Sequence, residues 1–184
     1  MDAIQALKTR RCVRSFTADP ISREVLEDLV DCARLAPTAE RKEPWEFVVI
    51  TDPAKKAEVA QATDYGKFIE EAPACIAVFC KPTTHYLEDG AAATVNILTA
   101  ARAHGLGSCW VAGEKKAYAA QVGEILGAPA GLHLVSLVPV GYTTQQLHPD
   151  KRSVVAVTHW DRFGMKQAPP EVPPPAAPPT ETEE

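Results

Sequence analysis

The chain has 184 residues, 46% of them hydrophobic and 23% charged, with 19 basic and 24 acidic side chains and a formal net charge of −5. That composition describes a folded domain, and the absence of a basic excess excludes duplex DNA or RNA binding driven by charge alone. No apolar run approaches the ~20 residues of a membrane helix, and five scattered cysteines (Cys12, Cys32, Cys75, Cys80, Cys109) without a CxxC fit reduced thiols better than a disulfide scaffold.

Asp2 to Lys8 reads as a short helix, followed by an irregular basic segment, Arg10-Arg11-Cys12-Val13-Arg14-Ser15-Phe16. Pro20 and Ser22 open an amphipathic helix with Val25, Leu29 and Ala33 in one row and Leu26 and Val30 in the next, stopped by Pro37. Phe47 to Ile50 predicts a short strand bounded by Asp52-Pro53, and the lysine-rich stretch 54–62 a solvated helix. Ala74 to Cys80 is apolar on both faces, so it predicts a central strand. From His85 to His104 the pattern is helical and rich in alanine, with Gly105 placed to end it in the left-handed conformation. Small residues along that helix suit a central or interface position. Residues 115–126 predict another helix ended by Gly127, and Leu132 to Val140 a third interior strand.

Helices alternating with buried strands predict a layered α/β or α+β domain over residues 1–164. Residues 165–184 hold seven of the sixteen prolines and carry a charge of −3. This tail cannot bury enough apolar surface to fold and is expected to stay extended, either as an acidic solubility tail or as a polyproline ligand for a partner. The opening MDAIQALKTRR lacks the order of charge followed by apolar core that marks a signal peptide, so a cytoplasmic location is expected.

There is no GxGxxG, P-loop, GxSxG or HExxH. The five histidines (85, 104, 133, 148, 159) show no metal-ligand spacing, and each reads as a surface or helix-end residue. Glu88 and Asp89 adjoin on a helix and point to different faces, which argues against a catalytic carboxylate pair. The informative feature is the arginine distribution. Arg10, Arg11 and Arg14 cluster near one end and Lys151-Arg152 near the other; guanidinium forks match phosphate oxygens, so convergence of the two groups would make a monophosphate site. A solvated helix end followed by a charged loop is the alternative.

Taken together, Arg10-Arg11-Cys12-Val13-Arg14-Ser15-Phe16, Ala36-Pro37-Thr38, Pro44-Trp45-Glu46-Phe47, Glu88-Asp89-Gly90 with Asn96, Gly105 to Trp110, Val140-Gly141-Tyr142 and Lys151-Arg152 occur in the order of the FMN-dependent nitroreductase family, which the chain resembles from about Met1 to Gly164. The resemblance implies an α+β sandwich with a mixed central sheet flanked by helices. It implies a homodimer with two FMN sites between protomers and a long interface helix, here 85–104. It further implies that Arg10, Arg14 and Arg152, with Arg11 and Lys151 nearby, grip the FMN phosphate, with Cys12 where a serine is common. Pro37 and Thr38 resemble the loop that reaches the flavin of the other protomer. Trp110, Val111, Ala112 and Gly113 resemble the strand whose backbone lies at flavin N5, so no side chain is assigned as catalytic acid or base. The cofactors implied are FMN and, as electron donor, NADH or NADPH; the remaining partner is a small-molecule electron acceptor.

Two departures stand out. Where the family's flavin-edge motif usually carries an asparagine and a glutamine, this chain has Arg41 and Glu43, and Tyr65-Gly66-Lys67-Phe68 lacks a glutamine found in many relatives. These positions normally face the pyrimidine edge, where negative charge gathers on reduction. Arg41, with Lys67, is therefore expected to raise the flavin's reduction potential, unless Arg41 and Glu43 turn outward and pair with neighbours. The expected function is hydride transfer from NAD(P)H through flavin N5 to a nitroaromatic, quinone or related acceptor by a ping-pong mechanism. A flavin-binding or scaffold protein without turnover is the alternative.

Overall fold

The Asp2 carboxylate accepts a hydrogen bond from the Gln5 N–H at 2.8 Å and starts α1 (Ala3–Thr9), and the Ser22 hydroxyl accepts from the Val25 N–H at 3.3 Å and starts α2 (Arg23–Arg34). The computed structural model describes residues 1–147 and 151–168. The chain divides into two units, Met1–Leu147 and a second beginning at His148. That division falls before the change of composition at Gly164, and the proline-rich stretch from position 169 onward lies outside the described residues. No helix among the described residues is long and apolar enough to cross a membrane.

The first unit continues with β1 (Trp45–Ile50), α3 (Pro53–Ala62), β2 (Ala74–Cys80), α4 (Tyr86–Ala103), β3 (Gly107–Ser108), β4 (Val111–Ala112), α5 (Ala119–Ile125) and β5 (His133–Gly141). The sheet runs β1-β2-β5-β3, with β4 also on β5, and all four ladders are antiparallel. The only parallel pairing among the described residues is the bridge between Cys12 and Ser108. Every residue of β2 is buried, as its two-sided apolar pattern predicts, and so are eight of nine in β5.

Each face of the sheet carries its own core. Ile76, Val78, Val138 and Val140 pack with Leu26, Leu29, Ala93 and Ile97 of α2 and α4. Ala77, Phe79, Leu134 and Leu137 pack with Val59 of α3 and Val122 of α5. Alternate side chains of one strand thus serve opposite layers, which is why the interior strands are apolar throughout. Gly105 has φ +80° and closes α4 with the Leu106 N–H on the Ala101 carbonyl at 2.8 Å.

Two expectations need correction. The lysine-rich helix α3 is not solvated all round: Lys56 is buried, and its ammonium donates to the Ala72 and Pro73 carbonyls, which steadies the turn into β2. The helix expected over 115–126 covers only Ala119–Ile125, because Lys115 takes φ +59° and the Tyr118 hydroxyl donates to the Ala112 carbonyl, holding the preceding segment as a turn.

In the second unit, Ser153 caps a single helical turn, α6 (Val154–Val157), and the Lys166 ammonium donates to the Val155, Ala156 and Thr158 carbonyls.

Candidate functional site

The segment Gly107–Gly113 forms the outer edge of the sheet. Val111 pairs with Leu137 and Ala112 with Ser136; the Cys109 N–H reaches the Pro139 carbonyl at 3.3 Å and the Gly113 N–H the Val135 carbonyl at 3.0 Å. Odd-numbered residues therefore bond inward to β5. By antiparallel alternation the backbone groups of Ser108, Trp110 and Ala112 point outward. The outward Ser108 carbonyl accepts the Val13 N–H at 2.9 Å, so the basic segment lies along the start of this edge. Past Ser108, the Trp110 and Ala112 N–H groups meet no backbone partner among the described residues. The Ala112 carbonyl is taken by the Tyr118 hydroxyl. Among the described residues the Trp110 carbonyl is approached only by the Cys109 thiol at 3.9 Å, so the edge offers two N–H donors and one weakly engaged carbonyl, and suits a ligand that mainly accepts hydrogen bonds.

Gly113 explains why the strand can lie so close to β5. A Cβ there would stand 2.5 Å from Leu134 Cγ and 2.6 Å from the Leu134 carbonyl oxygen. Gly66 plays a related part for the loop Tyr65–Phe68, since a Cβ on it would lie 3.1 Å from Val111 Cγ1. That loop and β4 are neighbours. The Lys67 ammonium, however, donates to the Gln61 carbonyl at 2.8 Å and so turns back on the end of α3.

Among the described residues only Arg23 and Arg34 of the arginines form ion pairs, so Arg10, Arg14 and Arg41 are among those that no carboxylate pairs. Arg10 Nη1 lies 4.0 Å from Cys12 Sγ. Burial pushes the Cys109 thiol up to about 11, as does the neighbouring Cys12, while the charges of Arg14 and Arg10 act on it in the opposite sense. Arg10, Cys12, Arg14 and Cys109 thus gather at one end of the edge. Buried beside Cys12, the Ser108 hydroxyl has no hydrogen-bond partner among the described residues. Arg11 also serves the fold: its Nη1 donates to the Lys8 and Arg10 carbonyls at 2.9 and 2.7 Å, closing the C-terminus of α1, while its buried Nε has no partner among the described residues. Lys151 and Arg152 are exposed members of the second unit.

The third element is the loop after Pro37. Glu40, Arg41 and Glu43 all have positive φ, at 53°, 55° and 43°, without one glycine among them. Left-handed backbone costs an L-residue about 1–2 kcal/mol, and strain of this kind persists only where the surroundings hold it. Here the holder is Asp89, in the first turn of α4. Its Oδ2 accepts the Thr38 hydroxyl at 3.0 Å and its Oδ1 the Ala39 N–H at 2.9 Å; Thr38 Oγ1 in turn accepts the Glu43 N–H at 3.1 Å. Arg41 and Glu43 are both exposed, and among the described residues neither forms an ion pair.

Asp89 is the residue that sequence reasoning missed. It does point away from Glu88, as expected. The overlooked signal was its row: Asp89, Ala93, Ile97 and Ala101 recur every fourth position, and all four are buried. A carboxylate on an apolar row has to find donors elsewhere in the fold.

Trp45 is buried in the core, and Trp110 packs half-buried against the α2–α4 layer. Tyr86 donates its hydroxyl to Glu114 at 2.9 Å and stacks on His133 with ring centres 4.2 Å apart.

The chain matches the model of the nitroreductase family over residues 7–74 and 65–142. It is 33% identical over 150 residues to a protein of Archaeoglobus fulgidus named "Putative NADH dehydrogenase/NAD(P)H nitroreductase", covering 77% of this chain and 85% of that one. Identity to the 5,6-dimethylbenzimidazole synthase of Rhodospirillum rubrum is 32% over 145 residues, 60% of this chain and 69% of that one. The solved structure of an FMN-dependent nitroreductase from Clostridium difficile superposes with a TM-score of 0.82 at 26% identity, covering 87% of this chain and 99% of that one. With a matched family model over most of the first unit and relatives of this extent, the chain belongs to the nitroreductase family.

Proposed function

We propose that the protein is an FMN-dependent oxidoreductase that uses NADH or NADPH to reduce a small acceptor, a nitroaromatic, quinone or related molecule, in two alternating half-reactions. When bound, FMN supplies the chemistry, accepting and releasing hydride at N5 of its ring. The observation that carries the reading is the open edge of β4, where main-chain donors stand free beside guanidinium groups that no carboxylate neutralises.

The residues fit the cofactor by the chemistry of their donors. Arg10 and Arg14, with Cys12, form a cationic end suited to a phosphate; on the family resemblance alone, Lys151 and Arg152 are the late basic residues proposed for that phosphate. Arg11 supports this end by closing α1. On the segment Trp110, Val111, Ala112 and Gly113, the outward N–H groups of Trp110 and Ala112 orient a ring that accepts hydrogen bonds, and the Tyr118 hydroxyl keeps the Ala112 carbonyl from opposing it. Pro37 and Thr38 carry a loop toward the flavin of the partner protomer, with Arg41 at its tip. Arg41 raises the reduction potential of the ring it meets, whereas Lys67, held on Gln61, contributes only by leaving that carbonyl.

Apolar side chains left uncovered in one protomer support the homodimer that the family resemblance implies. Ile4 and Leu7 on α1, Val95 on α4, and Val154, Val155 and Phe163 in the second unit are all exposed. We place the protein in the cytoplasm, in keeping with its five unpaired cysteines.

Anaerobic titration of the purified yellow protein with NADH and with NADPH tests the reading. Bleaching of the flavin band by either nicotinamide, and its return on adding a quinone, is the expected result. A yellow protein that neither nicotinamide bleaches would make it a flavin carrier, and a colourless one that rejects added FMN would end both readings. For Arg41, the flavin midpoint potential of Arg41→Ala should shift negative; an unchanged potential refutes its role.

A further inference from the structure

We propose that Asp89 is a positioning residue: from the first turn of α4 it fixes both ends of the Thr38–Glu43 loop and thereby sets where Arg41 stands. The inference rests on the reading above, in which that loop serves a flavin.

Asp89 is 4% exposed, and no ion pair among the described residues includes it. Its charge is instead held by the N-terminal turn of α4 and by two donors from one loop. Each oxygen has a separate task. Oδ1 takes the Ala39 N–H and Oδ2 the Thr38 hydroxyl, and the Thr38 oxygen passes the restraint on by accepting the Glu43 N–H. Residues 38, 39 and 43 are thus tied to a single buried carboxylate, and the left-handed Glu40 and Arg41 lie between the ties. The Lys42 N–H on the Ala39 carbonyl at 3.1 Å tightens the same turn. No glycine relaxes the loop, so its shape depends on these ties, and an amide in place of the carboxylate would keep only one of the two acceptors.

The test is backbone amide exchange on the flavin-free full-length protein, followed by the FMN midpoint potential of the loaded one. Loss of hydrogen bonds to a charged group should speed exchange at Ala39 and Glu43 roughly tenfold to a hundredfold in Asp89→Ala, and less in Asp89→Asn. Thr38→Val should speed Glu43 alone, Thr38→Ser should restore it, and this pair decides the matter if Asp89→Ala fails to fold. In the loaded protein Asp89→Asn should move the potential in the same direction as Arg41→Ala, and the double substitution should move it no further. Wild-type exchange rates in Asp89→Asn and Thr38→Val, or an additive double substitution, would overturn the proposal. A wild-type protein that takes up no FMN would instead refute the flavin reading, while the exchange rates still judge the anchor.

Discussion

β2 and β5 lie side by side at the centre of the sheet, and β4 lies at its rim, yet the two regions are built on opposite terms. The central strands are bonded on both sides and buried on both faces, which leaves them nothing to offer a ligand. β4 is bonded on one side only. A glycine lets it approach β5, a tyrosine hydroxyl covers one of its carbonyls, and donors without partners face outward. The difference teaches that the sheet leaves bonding capacity at one rim, where arginines gather as well. An uncovered edge is normally a liability, and in the proposed reading a bound flavin covers it.

The largest expected effect separates the two regions cleanly. Replacing Arg10 and Arg14 together by alanine should weaken FMN binding by a hundredfold or more, since each loses a charge-assisted contact of about 1.5–3 kcal/mol. The melting temperature of the flavin-free protein should stay within about 2 °C, because neither side chain forms an ion pair among the described residues. A large loss of thermal stability would show that the basic rim is part of the scaffold after all.

Leu137→Ala probes the opposite case. Leu137 is fully buried in the α3–α5 layer, and its truncation should cost about 3 kcal/mol in urea unfolding. FMN affinity of the folded fraction should change little; a selective loss of affinity would mean that the centre and the rim are not separable.

Alkaline pH should find the centre first. Burial raises the thiols of Cys75 and Cys80 to about 12, from an ordinary value near 9.0. Between those values the unfolded chain releases protons that the folded chain keeps. Stability is therefore full below pH 9 and declines as pH rises toward 12. Melting curves across that range check the sign, and Cys75→Ala should flatten the decline.

The smallest effect concerns the turn after β4. Lys115 holds φ +59° without a glycine's freedom, so Lys115→Gly should stabilise the protein by at most ~1 kcal/mol. A loss of stability would show that the lysine side chain repays the strain of its backbone.

Much of the fold was legible before any coordinate. The run Ala74 to Cys80 matches β2 residue for residue, because a strand buried on two faces admits few polar interruptions. Gly105 marked the end of α4 for a similar reason, since only its backbone turns left-handed at no cost. Lys56 and the first turn of the expected helix at 115 were misread because their neighbours decide them: two carbonyls beyond α3 hold the lysine, and Tyr118 holds the turn. The site was half legible. The arginine cluster stood out by composition, whereas Asp89 looked like one more acid on a helix until Thr38 and Ala39 came to it across fifty residues.

What the amino-acid order determined by itself was therefore what depends on short-range physics: which stretches are buried twice over, where capping residues and glycines bound helices such as α2 and α4, and where positive charge collects. Only the tertiary structure decided which backbone groups are left unpaired and which side chains meet them. Hydrogen-bond satisfaction is a property of neighbours, and the neighbours of Ala112 and Asp89 are distant in the chain.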